Sequence, residues 1–346
     1  MRFLFAVLGI ALFSSLGCSP AIAPATTPAA AGTLYVVNEA SSSVSIIDTA
    51  TNTVASTLQV GGRPQGIALS ADGKFLYLTQ GELGTVAVVD TGSNQVVANI
   101  PVGKDPQAIA VSRDGSRGYV TNYESNDLTI LDLAARKSLA SVPVGTNPQA
   151  VALSDGGDLA YVVNLRSNSI SVVDTASRSV RDSIPAGEGP CGIAVTADGK
   201  YAYVGGHGGM GGMAASGAMG GASGKEGMPK AGPNKDLRIL DLETKQIAGS
   251  VGCGTMPIAV ALSSDAKAYV INHGSGEVSV VDTTSRKVLD TIPVGKNPFG
   301  VALSRDGRRV YVSLRDENTV LAMDAGTHKI AATVPVGEGP RGLALK

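Results

Sequence analysis

The 346-residue chain has no tryptophan and only 5 phenylalanines, 3 cysteines and 3 histidines. So few large rings exclude a core built on aromatic side chains, and three cysteines exclude a disulfide-rich scaffold. Charged residues make up 16% of the sequence and the formal net charge is −1, which argues against a basic nucleic-acid-binding protein. By contrast, 44 residues are glycine and 43% are hydrophobic. The composition therefore predicts a folded protein of closely stacked sheets with small aliphatic side chains.

Sequence motifs of several enzyme classes are missing. There is no Gly-x-Ser-x-Gly elbow, no Walker loop and no His-Glu-x-x-His zinc motif. With three histidines in the chain, the sequence does not favour a Ser–His catalytic triad. The sequence therefore favours a binding or scaffold protein over an enzyme.

The N-terminus has the character of an export signal. In residues 1–17 one arginine precedes an apolar run that is too short to cross a bilayer as a stable helix. Ser15-Leu16-Gly17-Cys18 resembles a bacterial lipobox, which implies lipidation of Cys18. Cleavage by an ordinary signal peptidase, after Ala31, is the alternative. Residues 18–32 are rich in Ala, Pro and Thr and predict a tether. Both routes predict an extracytoplasmic protein, either periplasmic or on the outer membrane or cell surface, with lipidation adding a membrane anchor.

Seven copies of one unit fill residues 33–346. An aspartate that follows an apolar run recurs at intervals of 42, 42, 42, 67, 41 and 42 residues. The seven positions are Asp48, Asp90, Asp132, Asp174, Asp241, Asp282 and Asp324. A proline and a tyrosine recur with the same period, and one unit carries an insertion at about residues 205–235. Repeats of about 40–45 residues are typical of β-propeller blades.

Each unit contains four short runs with strand character, separated by turn residues such as Asp114-Gly115. The chain ends on a first strand without a partner, around Leu345, and the repeats begin on a second strand without a first, around Leu34. The last strand can therefore complete the first blade and close the ring. The prediction is an all-β, seven-bladed propeller of four-stranded antiparallel blades, which we expect to be monomeric.

The third unit contains Tyr119-Val120-Thr121-Asn122, which resembles the signature of the YVTN-type β-propeller repeat. Related sequences begin at Tyr35, Tyr161 and Tyr269. The resemblance implies a seven-bladed propeller of the lactonase-like superfamily, whose members include surface proteins, periplasmic proteins and lactonase-like enzymes. It leaves the ligand open, and no catalytic set of a lactonase matches residue by residue.

Candidate metal ligands lie in and beside the insertion. Pairs of glycines separate His207, Met210 and Met213, and Met219 follows in the same insertion. His273 occupies the repeat position of His207 in the next unit. Thioethers and imidazoles suit copper(I). A low-complexity loop with incidental methionines and a protein-contact loop are the alternatives. We expect His328 on the opposite face, exposed to solvent.

Two cysteines, Cys191 and Cys253, lie in connections of neighbouring units. Exported proteins commonly pair such cysteines, so a disulfide is one interpretation. Free thiols, or a metal site that includes His207 or His273, are the others.

The residue after each repeat proline should approach the central channel. Gln65, Gln107 and Gln149 form a polar arc there, and Arg341 occupies the same position in the last unit. This arc could hydrogen-bond a ligand, although glutamine is also a common filler of wet channel mouths. Taken together, the sequence predicts a binding or scaffold module of the bacterial cell envelope. Its expected partner is a protein or surface ligand on the insertion-bearing face; copper handling and lactonase-like activity are the alternatives, and nucleic acid is not an expected partner.

Overall fold

A computed structural model of the chain describes residues 32–208 and 234–346. The described residues form seven separate four-stranded antiparallel sheets. A 3₁₀ turn spans Arg315–Glu317. This is the all-β, seven-bladed propeller predicted from the repeats. Within the described ranges no helix is long and apolar enough to cross a membrane.

Consecutive strands of a blade lie side by side, from the channel outwards. The innermost strands are β28 (Pro340–Leu345), β4 (Pro64–Leu69), β8 (Pro106–Val111), β12 (Pro148–Leu153), β16 (Pro190–Val195), β20 (Pro257–Leu262) and β24 (Pro298–Leu303). The second strands are β1 (Thr33–Asn38), β5 (Phe75–Gln80), β9 (Arg117–Asn122), β13 (Leu159–Asn164), β17 (Tyr201–Gly206), β21 (Lys267–Asn272) and β25 (Arg309–Leu314).

The third strands are β2 (Ser43–Asp48), β6 (Thr85–Asp90), β10 (Asp127–Asp132), β14 (Ser169–Asp174), β18 (Asp236–Asp241), β22 (Glu277–Asp282) and β26 (Thr319–Asp324). The outermost strands are β3 (Thr53–Gln59), β7 (Gln95–Pro101), β11 (Lys137–Pro143), β15 (Ser179–Pro185), β19 (Gln246–Gly252), β23 (Lys287–Pro293) and β27 (Ile330–Pro335). We number the blades 1 to 7 in the order of their second strands.

The C-terminal strand closes the ring. Strand β28 pairs with β1 so that Leu345 lies opposite Leu34, and in blade 2 Leu69 lies opposite Leu76 in the same register. The last strand therefore takes the place of the missing inner strand of blade 1, as the repeat alignment predicts.

Apolar side chains fill the spaces between neighbouring blades. One cluster, for example, joins Tyr119 and Ile130 of blade 3 to Ala160 and Val162 of blade 4. Small residues let the inner strands approach closely: a Cβ on Gly192 of blade 5 would overlap the carbonyl oxygen of Ile258 in blade 6. This explains why small residues rather than large rings dominate the sequence.

The asparagine that ends the Tyr-Val-Thr-Asn sequence has a structural role. Asn122 is fully buried, and its Nδ2 donates to Thr129 Oγ1 at 2.8 Å on the neighbouring strand. Asn38, Asn164 and Asn272 donate to serines at the equivalent position. A buried amide therefore fixes the second strand to the third in four blades.

The turns between first and second strands form one face of the ring, at the opposite end of the strands from the repeat prolines. In blade 3, the Asp114 carboxylate accepts hydrogen bonds from the Ser116 amide and from Ser112 Oγ, while Gly115 has φ +71°. These bonds hold the pKa of Asp114 at about 2, with the Ser112 hydroxyl as the largest cause. Most blades repeat this turn, which makes the face uniform.

Candidate functional site at the channel mouth

Three rings of residues surround one end of the channel. The first ring follows the repeat prolines and contains Gln65, Gln107, Gln149, Cys191, Ile258, Phe299 and Arg341. The second ring follows the second strands and contains Glu39, Gly81, Tyr123, Leu165, His207, His273 and Arg315. The third ring precedes the prolines and contains Arg63, Asp105, Asn147, Gly189, Met256, Asn297 and Gly339.

One backbone hydrogen bond connects the second ring to the third in every blade. The amide of the second-ring residue donates to the carbonyl of the third-ring residue, as from His207 to Gly189 at 2.9 Å and from His273 to Met256 at 2.9 Å. All seven third-ring residues have positive φ, between 49° and 65°. The backbone of the mouth is therefore seven-fold regular, and side chains alone distinguish its sectors.

The first ring encloses a cavity of about 370 Å³. All seven first-ring residues line it, which confirms that the residues after the prolines face the channel, and His207 of the second ring lines it too. This volume is within the range of small-molecule sites in proteins. The mouth can therefore accept a ligand the size of a sugar or a small organic acid.

A charged network occupies the sector formed by blade 7 and blades 1 to 3, which we call the polar sector. Arg341 Nη1 donates to Glu39 Oε1 at 3.0 Å and to Gln65 Oε1 at 2.6 Å, and Arg315 Nη2 donates to Glu39 Oε2 at 3.0 Å. Arg63 pairs with Asp105 at 2.9 Å. Within this network three guanidinium groups thus face two carboxylates, and the Glu124 carboxylate lies close enough to act on the pKa of Asp105.

Arg341 is the member of the network that faces the cavity. Its side chain is 15% exposed, and its guanidinium lies 4.4 Å from the centroid of the Phe299 ring. Burial lowers the pKa of Arg341, while Glu39 opposes that shift. Burial likewise raises the pKa of Asp105, against the effect of Arg63. The low exposure makes each of these charges electrostatically stronger than at an open surface.

The glutamine arc has unused hydrogen-bonding capacity. Gln149 Oε1 is buried and has no hydrogen-bond partner among the described residues, and Gln107 interacts with the side chain and, at 3.5 Å, with the carbonyl of Asp105. Buried amides are normally satisfied. A ligand with a hydroxyl group could donate a hydrogen bond to such an unpartnered amide oxygen in the cavity wall.

Softer donors occupy the sector formed by blades 5 and 6, which we call the soft sector. The imidazole of His207 has a buried Nδ1 without a partner among the described residues, and burial, with a smaller effect of His273, lowers its pKa to about 4. His273 Nδ1 lies 3.1 Å from the Pro298 carbonyl oxygen, and its ring meets Phe299 edge-on, with centroids 5.9 Å apart. Burial also lowers the pKa of His273. Both imidazoles are therefore neutral at neutral pH. The structure brings together His207 and His273 as the repeat positions predict.

The disulfide expected between Cys191 and Cys253 is not formed, and both are free thiols. Cys191 lies on the innermost strand and lines the cavity, while the Cys253 thiol lies against Leu237 and Ser279, on third strands. Two strand spacings amount to roughly 10 Å, beyond the ~7 Å Cα separation that a disulfide spans. Burial raises the pKa of Cys191 to about 12 and that of Cys253 to about 11.

Several predicted residues lie outside the described ranges. These are Cys18, Met210, Met213 and Met219, so their roles stay predictions. Within residues 32–208 and 234–346, no three His, Cys, Asp or Glu side chains are placed to hold a metal ion together. His328 lies in the turn after β26, at the opposite end of the strands. Its side chain is 18% exposed rather than open to solvent, and its Nδ1 lies 2.7 Å from the carboxylate of Asp290 in blade 6.

Sequence reasoning missed the partners of Arg341. Glu39 and Arg315 occupy the same repeat position as His207, and Arg63 and Asp105 occupy that of Met256. An alignment of the residues that follow each second strand, and of those that precede each proline, would have found them. The backbone is the same in every blade at these positions, whereas charged side chains occur in only some blades.

Comparisons with known proteins agree with this fold. The profile of the Cytochrome D1 heme domain family matches residues 30–152. An uncharacterized protein named YncE from Salmonella typhimurium is 38% identical over 53 residues. That stretch is 15% of this chain and spans 15% of the length of the relative.

The segment that matches the haem-domain profile supplies no usual ligand for haem iron. Residues 30–152 contain no histidine, cysteine or methionine, the side chains that most often bind haem iron. The seven first-ring side chains converge on a cavity of about 370 Å³, which suits a ligand much smaller than a tetrapyrrole.

Solved structures resemble the whole propeller. A protein from Bacteroides fragilis described as a candidate 6-phosphogluconolactonase gives a TM-score of 0.72 at 16% identity, covering 93% of this chain and 99% of that one. Dihydro-heme d1 dehydrogenase NirN, in complex with DHE, gives 0.66 at 16% identity, covering 95% and 78%. At these identities the likeness shows the fold alone. These structures therefore support the propeller fold described above.

Proposed function

We propose that this chain is an exported, lipid-anchored binding module of the bacterial cell envelope, whose channel mouth takes a small ligand with a carboxylate and several hydroxyl groups. The apolar N-terminal run and Cys18 support export and anchoring. The rings at the mouth support ligand binding. The mouth also shares its face with the start of the insertion, after His207, and that face is the proposed contact surface for a protein or surface ligand.

The observation that carries the proposal is the position of Arg341. It is a guanidinium that lines the cavity, and its hydrogen bonds to the protein run through Nη1 alone among the described residues. Guanidinium groups bind carboxylates with two parallel hydrogen bonds. The low exposure of the Arg341 side chain strengthens its attraction for an anion.

The other lining residues suit hydroxyl groups. The Gln149 carbonyl oxygen can accept from a hydroxyl, and the amides of Gln65 and Gln107 lie along the same arc. On the opposite wall Ile258 and Phe299 provide apolar contact. A polyhydroxylated carboxylate matches this division of donors, acceptors and apolar surface.

Binding fits the lining better than catalysis by a nucleophile. Cys191 is the cavity's thiol, and its raised pKa of about 12 keeps it protonated at neutral pH. A protonated thiol is a poor nucleophile, and its polar contact is the Ile258 carbonyl at 3.6 Å. Lactone hydrolysis through a covalent Cys191 intermediate is therefore disfavoured.

A matched pair of ligands tests the proposal. Gluconate and glucose share a polyol chain but only gluconate has a carboxylate, and calorimetry should detect gluconate alone. Arg341→Gln places in the inner strand of blade 1 the residue found at this position in blades 2, 3 and 4, and should weaken gluconate binding by about 100-fold.

Arg113→Gln, which removes an exposed pair on the opposite face, should leave gluconate binding unchanged. Equal heats for gluconate and glucose, or unchanged gluconate binding by a folded Arg341→Gln variant, would refute carboxylate recognition. Hydrolysis of glucono-δ-lactone above the buffer rate would replace binding with catalysis.

A further inference from the structure

The soft sector of blades 5 and 6 differs from the polar sector in the chemistry of its side chains. It presents two imidazoles, His207 and His273, and the thioether of Met256. These are borderline and soft ligands. His207 lines the same cavity as Arg341, and His273 contacts the Phe299 ring on which Arg341 lies, so the two ligands would share the mouth while binding to different side chains.

A chain of backbone hydrogen bonds joins these three residues. The Asn234 amide donates to the His207 carbonyl at 3.2 Å, the Met256 amide donates to the Asn234 carbonyl at 2.7 Å, and the His273 amide donates to the Met256 carbonyl at 2.9 Å. The Met256 sulfur also packs on the backbone beside His273, because a Cβ on Gly274 would lie 3.2 Å from it. The three side chains thus start from one hydrogen-bonded patch at the mouth.

Each imidazole has a ring nitrogen without a hydrogen-bond partner among residues 32–208 and 234–346. The Pro298 carbonyl oxygen accepts from His273 Nδ1, so the proton is on Nδ1 and the Nε2 lone pair is free. In a metal-binding histidine, the ring nitrogen that does not bind the metal often donates to a backbone carbonyl, as His273 Nδ1 does here. The edge-on contact with Phe299 fixes the plane of the His273 ring. His207 Nδ1 is buried without a partner among the described residues, in a ring that lines the cavity.

Met256 occupies its position against local backbone preference. Its φ is +57°, a left-handed conformation that costs an L-residue roughly 1–2 kcal/mol. All seven third-ring positions share this conformation, and the other blades place Arg63, Asp105, Asn147, Gly189, Asn297 and Gly339 there. Asparagine and glycine tolerate it best, so the thioether replaces residues that the backbone favours.

We propose that His207, His273 and Met256 bind a single cuprous ion at the channel mouth. Copper(I) accepts two or three ligands and prefers thioethers and imidazoles, whereas zinc normally takes four. The three residues need no carboxylate or thiolate. This agrees with the absence, within the described ranges, of three grouped His, Cys, Asp or Glu side chains.

Anaerobic competition with a chromophoric copper(I) chelator, on the full-length chain, tests the site. His207→Leu installs the residue that blade 4 has at this position, Leu165, and Met256→Asn installs that of blades 4 and 7, so both variants should fold. Loss of an outer hydrogen-bond partner already costs metal sites roughly 10–100-fold. We therefore expect His207→Leu to weaken the tightest copper(I) site by about 100-fold and Met256→Asn by about 10-fold.

His328→Asn is the matched control, since His328 lies on the opposite face, and should leave the affinity unchanged. A variant lacking residues 210–228 should keep the tightest site, because that site needs no ligand from this segment. X-ray absorption should detect a copper–sulfur distance that Met256→Asn abolishes in the shortened variant.

Loss of the tightest site on deletion of 210–228 would overturn the proposal, as would zinc binding as tight as copper(I). An unchanged copper–sulfur signal in Met256→Asn would also overturn it. Gluconate binding by the same variants separates a failure of this site from a failure of the carboxylate site.

Discussion

The two sectors of the channel mouth stand on the same backbone and differ in their side chains. In blade 7 and blades 1 to 3, three arginines and two carboxylates form a charged network. In blades 5 and 6 the equivalent positions have two neutral imidazoles, a thioether and a buried thiol. The propeller thus repeats its backbone and varies its ligand chemistry blade by blade.

The polar sector should be the more sensitive to loss of a single charge. Glu39→Gln removes the carboxylate that pairs with both Arg341 and Arg315. Breaking a buried pair leaves uncompensated charge, so we expect the free energy of unfolding to fall by about 3 kcal/mol. The substitution also removes a negative charge beside Arg341, so gluconate should bind about 10-fold more tightly.

Denaturant unfolding and calorimetry of Glu39→Gln measure these two effects, with Asp155→Asn as the control. Asp155 belongs to an exposed pair on the opposite face, so its loss should change stability by less than about 0.5 kcal/mol. A Glu39→Gln variant as stable as the Asp155→Asn variant would show that the network does not distinguish the two sectors.

Gly192→Ala tests the close contact between the inner strands of blades 5 and 6, the blades that form the soft sector. The new Cβ would overlap the Ile258 carbonyl oxygen, and such overpacking costs about 1–3 kcal/mol. Thermal unfolding should show the loss. Gly252→Ala, where the nearest atom is 4.0 Å from the new Cβ, should have almost no effect; equal losses in both variants would contradict the packing argument.

Met256→Asn should separate stability from copper binding in the soft sector. Relief of the left-handed strain should raise the free energy of unfolding by about 1 kcal/mol. Asn297→Met introduces the same strain at the equivalent position of blade 7, where φ is 49°, and also removes the hydrogen bond from Asn297 to Asp316, so it should lower the free energy of unfolding by more than that amount. Loss of stability in Met256→Asn would mean that packing of the thioether, rather than backbone strain, dominates there.

A substitution on the opposite face, in the turns between first and second strands, should change stability least, and the size of that change should depend on pH. The folded-state pKa of Asp114 is about 2, below the ordinary value of 3.8, so ionised Asp114 stabilises the fold above about pH 4. That contribution disappears as pH falls from about 4 to about 2. Melting temperatures should therefore separate Asp114→Asn from wild type at neutral pH and converge near pH 2; a constant difference would refute the assignment.

Sequence periodicity predicts most of the fold because a short repeat fixes local structure. The tyrosines, aspartates and prolines place the 28 strands, and the register of Leu34 with Leu345 follows from the alignment with Leu76 and Leu69. The same periodicity places the first-ring residues around one cavity. It also predicts the shared position of His207 and His273.

The contacts across the mouth required the structure. Glu39 and Arg341 are separated by 302 positions, and ring closure alone brings them together. The cysteine interpretation failed for a related reason, since neighbouring repeats place Cys191 and Cys253 at different radii of their blades. In a propeller, the spacing of two residues along the chain does not predict how far each of them lies from the central channel.

The sequence by itself determined the number of blades, the strand order and the identity of the residues that face the channel, because local patterning with a fixed period specifies each of these. The tertiary structure decided which charges pair, which amide and imidazole groups stay unpartnered among the described residues, and which cysteines remain apart. Those properties depend on distances between blades, and such distances exist only once the ring has closed.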